Sequence, residues 1–108
     1  MKRGDIVIVR QPNTPAGKQR PCVVIQRDST LSSANKVTVC PLTSMLRGPE
    51  GARPMVAPTI GNHLARPSEV EIDWIYTFPI DRILGTIGSI DDDVLDRVDE
   101  ALRRWLDL

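Results

Sequence analysis

The spacing of the apolar residues changes once along this chain, and that change bounds what it can fold into. Up to about residue 88 the apolar residues come in short runs, several of them β-branched, cut by Gly, Pro, Asn and Asp. After Ile90 they recur at helical spacing, as Val94, Leu95, Val98, Leu102, Trp105 and Leu106. Runs of four to eight residues bounded by turn formers read as strands, whereas a 3.6-residue period reads as an amphipathic helix. The expected order is five or six strands followed by one helix. That order suits a mainly β barrel or sandwich closed by a helix.

The individual runs fit this order. Ile6 to Val9 reads as a first strand, Pro21 to Ile25 as a second and Lys36 to Cys40 as a third. Met55 to Ala57 reads as a short strand. The stretch Glu69 to Tyr76 alternates and reads as one half-buried strand, and Ile80 to Ile87 as the last. The loops lie at residues 11–19, 28–35, 44–54 and 58–67. Asp91 is the expected N-cap of the helix, with Ile90 packing on Leu95 as a hydrophobic staple. Asp92 and Asp93 suit the positive end of the helix dipole, and Arg103 and Arg104 the negative end. The three aspartates are therefore read as helix initiation and not as a metal site.

A chain of 108 residues fits one domain, residues 1–108. Such a domain buries one modest core, so a surface groove or a dimer interface is the expected place for a site. With 41% hydrophobic and 26% charged residues, the composition is that of an ordinary soluble domain. No stretch approaches the length of a membrane span, and the start has no signal-peptide pattern, so a cytoplasmic location is expected. Cys22 and Cys40 sit in strand-like runs and are read as reduced, buried thiols. Two cysteines and one histidine make no metal-ligand motif, so no metal or other cofactor is expected. Net charge is zero but unevenly spread. Residues 1–40 carry seven basic against two acidic residues, hence +5, and residues 41–108 seven against twelve, hence −5. A basic half can meet a polyanion even in a neutral chain.

Two short segments carry candidate chemistry. Gly17-Lys18-Gln19-Arg20-Pro21 leads into a strand and sets a guanidinium at its mouth. Arginine presents a planar fork of donors that matches two phosphate oxygens, although a loop arginine in an ion pair fits this segment equally well. Cys40-Pro41-Leu42-Thr43-Ser44 ends the third strand with two hydroxyls, able to donate to a phosphate or to cap the turn.

Taken in order, these segments resemble the MazF/PemK (Kid) family of bacterial toxins. Arg3-Gly4-Asp5-Ile6 is similar to the family's opening R-G-D/E-I. Arg20-Pro21-Cys22-Val23-Val24-Ile25 is similar to its R-P-x-V-V-I/L strand, and Val39 to Ser44 to its V-x-P-I/L-T-S segment. Val70-Glu71-Ile72-Asp73 with Thr77, and Asp81-Arg82 to Ile87-Gly88 before the helix, are similar to its later strands and its ending. The resemblance implies an SH3-like barrel of the CcdB/MazF type, a homodimer, and metal-independent cleavage of single-stranded RNA. It also implies silencing by an acidic antitoxin. It makes Arg20 the catalytic arginine, Thr43 the catalytic hydroxyl and Asp73 a further catalytic or substrate-contacting group. The expected RNA contacts are Lys18, Gln19, Ser44, Arg47 and Arg53.

The chain also departs from the family pattern. Its loop 11–19 lacks an acidic residue, Trp74 stands where glutamine is common, and Glu71 and Tyr76 stand where some members carry arginine. Trp74 and Tyr76 are expected to pack in the core or at a dimer contact, and could stack on a base if exposed. Arginine is a poor general base, and His63 has no family counterpart, so the proton acceptor is left unassigned. Two other functions compete. One is a gyrase-poisoning toxin of the same fold, suggested by the Trp105-containing tail, although Trp105 also continues the apolar stripe of the helix. The other is a catalytically inactive RNA-binding barrel.

Overall fold

The computed structural model of the chain describes residues 1–11 and 17–108. Most of the expected loop 11–19 thus lies outside the described residues. Strands β1 (Asp5–Arg10), β2 (Gln19–Val24) and β3 (Lys36–Thr43) form the antiparallel centre of the sheet. A single helical turn, α1 (Asp28–Leu31), sits in the polar link between β2 and β3. Strand β4 (Met55–Val56) pairs with β5 (Ser68–Val70), and β5 pairs with the end of β3. Strand β6 (Tyr76–Pro79) pairs with the start of β3, and β7 (Ile83–Ser89) closes onto β1. Helix α2 (Asp92–Leu106) follows.

The central strands β1, β2 and β3 are buried on both faces, and strict alternation explains how. Ile6, Val23, Cys40 and Leu42 enter one apolar cluster, which α2 covers with Val94, Val98 and Leu102. Their neighbours Val7, Val9, Cys22, Val24, Val37 and Val39 point the other way into a second cluster, flanked by Leu31, Phe78 and Ile83. Each valine, leucine or isoleucine among them contributes about 1.5–3 kcal/mol when fully removed from water. This double burial is why the strands read as near-continuous apolar runs.

The expected strand Glu69 to Tyr76 is not continuous. Leu42 faces Val70 and Val39 faces Tyr76, so three steps along β3 match six along the other chain. The three extra residues bulge as a turn around Ile72 and Asp73, fixed by Trp74 N–H donating to Glu71 O at 3.0 Å. Pro41 sits where this break occurs. Its carbonyl accepts Glu71 N–H at 2.8 Å, and the side of the strand where Pro41 lacks an N–H faces the same gap. A proline is thereby accommodated inside a central strand without a lost ladder bond. The last strand also starts later than expected, because a 3-10 turn occupies Ile80–Arg82.

Helix α2 begins at the expected place, with Asp91 as an extended N-cap, but the Asp91 side chain makes no capping hydrogen bond. Entry to the helix is held by backbone instead. Gly4, at φ +91°, accepts Ile90 N–H at 2.9 Å and donates to Val24 O at 2.8 Å. Gly88 is required for a second closure. A Cβ there would lie 2.2 Å from Gly61 O, and Ser89 N–H bonds that same carbonyl at 3.1 Å. Trp105 does not join the core as its spacing suggests. It is 57% exposed, because the apolar stripe is buried only as far as Leu102. No helix among the described residues is long and apolar enough to cross a membrane.

Candidate functional site

Arg20 is the second residue of β2, opposite Val9 of β1. Thr43 is the last residue of β3. Alternation sets both on the face of Cys22, Val24, Val37 and Val39, two residues beyond the Cys22–Pro41 pair on their respective strands. Two rigid, adjacent strand ends thus present a guanidinium and a hydroxyl on the same side. Arg20 Nη2 also reaches Leu42 O, the residue before Thr43, at 3.4 Å. Thr43 Oγ1 accepts Met45 N–H at 3.1 Å, which leaves its own proton to donate elsewhere.

The guanidinium of Arg20 is about a quarter exposed, and its Nη2 forms an ion pair with Glu71 Oε1. Glu71 Oε2 lies 3.6 Å from Arg53 Nη2. Arg53 in turn grips Asp73 with two hydrogen bonds of 2.9 Å, Nε to Oδ1 and Nη2 to Oδ2. Arg20, Glu71, Arg53 and Asp73 therefore form a row of alternating charges. The Arg53 hydrogen bonds hold the Asp73 carboxyl below its usual range. A buried carboxylate, Glu69, accepts Arg47 N–H at 3.0 Å and Gly48 N–H at 3.1 Å, which fixes the start of the loop after Thr43.

The structure brings some of the sequence-derived candidates together and sets others apart. Lys18, Gln19, Ser44 and Arg47 are exposed, on the segments that flank Arg20 and Thr43. Arg53, expected to touch RNA, instead has a side chain only 3% exposed, with its fork turned onto Asp73. Asp73, expected among the catalytic groups, has both oxygens engaged by Arg53. Trp74 and Tyr76 lie outside the core, 50% and 37% exposed. His63 is exposed in a turn, with left-handed backbone at φ +54°. Glu71 and Glu69 were not read as site residues. Their signal was two carboxylates alternating with Val70 and Ile72 on a strand that the core needs, since buried carboxylates demand donors.

Comparison with known proteins decides the family. Residues 2–106 match the family described as PemK-like, MazF-like toxins of type II toxin–antitoxin systems. The chain belongs to that family. A probable endoribonuclease MazF from Mycolicibacterium smegmatis is 31% identical over 106 residues, covering 98% of this chain and 96% of that protein. Among solved structures, the Mycobacterium tuberculosis toxin MazF-mt6 superposes with a TM-score of 0.81 at 27% identity, covering 96% of this chain and 97% of that one. A MazE-MazF structure from Deinococcus radiodurans gives a TM-score of 0.79 at 19% identity, covering 100% and 97%. The barrel with a terminal helix expected from sequence is the PemK/MazF fold.

Among the described residues, no group of three or more His, Cys, Asp or Glu side chains is placed to hold a metal ion.

Proposed function

We propose that the chain is the toxin of a toxin–antitoxin pair and an endoribonuclease that cuts single-stranded RNA in the cytoplasm without a metal. The observation that carries this reading is the pairing of Arg20 and Thr43 on one face, at the ends of adjacent strands. RNA supplies its own nucleophile, the 2′-hydroxyl. Attack on the neighbouring phosphate puts developing charge on the phosphoryl oxygens, expels the 5′-oxygen and leaves a cyclic phosphate. Arg20 offers a fixed positive fork to that charge, and Thr43 a neutral hydrogen bond from a rigid strand end.

Glu71 takes up one nitrogen of Arg20 and so orients the guanidinium, while the rest of the fork is available to a phosphate. Arg53 and Asp73 are positioning residues in this scheme. Arg53 steadies Glu71 from the buried side, and Asp73 steadies Arg53. Lys18, Gln19, Ser44 and Arg47 flank the track and contact the RNA backbone or bases. The chain works as a homodimer, and an acidic antitoxin segment competes with RNA for Arg20. The Deinococcus MazE-MazF structure, and that of a mycobacterial endoribonuclease in complex with its cognate antitoxin, support such a partner.

The test is incubation of purified protein with long single-stranded RNA in EDTA, repeated with Arg20→Ala and Thr43→Ala. Cleavage is expected for the wild type, with losses on the order of a hundredfold or more in each variant. Intact RNA across many sequences, together with blocked gyrase supercoiling, would favour the gyrase-poisoning alternative.

A further inference from the structure

Three aromatic side chains follow Asp73 at alternate positions, Trp74, Tyr76 and Phe78. They form a ladder. The Trp74 and Tyr76 rings lie 6.1 Å apart at 13°, and the Tyr76 and Phe78 rings 5.6 Å apart at 27°. The chain contains only one further aromatic residue, Trp105, so this clustering is not a by-product of an aromatic-rich composition.

The register fixes where the ladder points. Tyr76 faces Val39 and Phe78 faces Val37, and directly opposed residues project from the same face of a sheet. Val37 and Val39 share their face with Thr43, and Cys22 shares it with Arg20. The ladder and the proposed cleavage residues therefore occupy one side of the sheet. Exposure rises toward the site. Phe78 is half-buried against the second apolar cluster and anchors the row, while Tyr76 and Trp74 are progressively more open. Trp74 also adjoins the charge row directly, through its backbone bond to Glu71, the residue that holds Arg20.

We propose that Trp74 and Tyr76 form a base-stacking platform, which takes the nucleobases on one side of the phosphate held by Arg20. This rests on the endoribonuclease reading. An unpaired RNA strand has two chemistries to satisfy, charged phosphates and flat apolar bases. Arg20 and the basic segment around Lys18 suit the first. Uncharged rings held nearly parallel suit the second, because any base has a π-face to offer. A ladder anchored by Phe78 is ordered before RNA arrives, so little side-chain entropy is lost on stacking. The uncleaved strand would thus be fixed on both sides of its reactive phosphate.

The experiment separates binding from cleavage. A single-stranded oligonucleotide with 2′-O-methyl riboses cannot be cut and serves as the binding probe. Its affinity is measured by quenching of Trp74 fluorescence in a Trp105→Phe background, and by gel shift for Trp74→Ala and Tyr76→Ala. Each ring removed should weaken binding roughly tenfold. A probe abasic at the stacked positions should bind the wild type as weakly as the full probe binds the Trp74→Ala/Tyr76→Ala double variant, and should lose nothing further in either single variant. Cleavage of ordinary RNA by the same variants should show raised KM with little change in kcat. Unchanged affinity in both variants, with wild-type cleavage intact, overturns the platform and leaves the nuclease reading standing. A shift in sedimentation without loss of RNA affinity overturns it in favour of a contact between copies of the chain. Failure of the wild type both to bind the probe and to cleave RNA overturns the two readings together.

Discussion

Glu71 sets one carboxylate oxygen on the guanidinium of Arg20 and turns the other toward Arg53. The central cation of the site is thereby tied to a buried one through a single acidic side chain. Removing the charge of Glu71 while keeping its shape should loosen Arg20 without emptying the space. For Glu71→Gln we expect kcat to fall about tenfold with KM unchanged or lower, because Arg20 loses orientation but gains net positive field. Steady-state cleavage at two salt concentrations reads both parameters. A raised KM with normal kcat would assign Glu71 to substrate contact instead.

Arg53 holds Asp73 through two nitrogens and stands close to Glu71, almost wholly out of solvent. Arg53→Met should leave Asp73 without its cation, while Glu71 keeps only Arg20. Breaking a buried pair from one side costs about 3–5 kcal/mol, and partial exposure of Asp73 puts this case at the low end. Urea unfolding measures it. Adding Asp73→Asn to Arg53→Met should recover part of the loss, whereas independent roles would make the two changes additive.

Asp73 is held below the ordinary aspartate value of 3.8, chiefly by the Arg53 hydrogen bonds. A depressed folded value means that the unfolded chain binds more protons as pH falls. Its stabilising contribution is therefore complete above the unfolded value and lost as pH drops through the folded one. Unfolding midpoints between pH 6 and pH 2.5 should fall more steeply for the wild type than for Asp73→Asn.

Cys22 and Cys40 lie on opposite faces of the sheet, and burial pushes both thiols from 9.0 up to about 12. Neither should react with iodoacetamide at pH 8 in the folded protein, and both should react once urea is added. The sign for stability is opposite to that of Asp73. The contribution is complete below pH 9 and is lost as pH rises through the folded value. Replacing either thiol by alanine should flatten the alkaline limb of the stability profile.

The local elements were legible because short-range physics specifies them. Alternation marked β1, β2 and β3, and the change of period marked α2, with Asp91 at its start. Where the sequence misled, a non-local partner intervened. The run from Glu69 to Tyr76 alternates as one strand would, yet it breaks because both halves must pair with β3 on either side of Pro41. Trp105 continues the helical stripe but remains outside, since the sheet beneath α2 supports it only as far as Leu102.

By itself, the sequence determined the order of strands and helix, the single change of period, and the motifs that made Arg20 and Thr43 candidates. Those properties depend on residues close together in the chain. What Arg20 rests on follows from the assembled fold alone. Its partner, Glu71, is fifty-one residues away in sequence, and Arg53 turned out to face inward to Asp73 instead of outward to a substrate. Such choices depend on strand register and on which carboxylates are buried, and burial is a property of the assembled sheet.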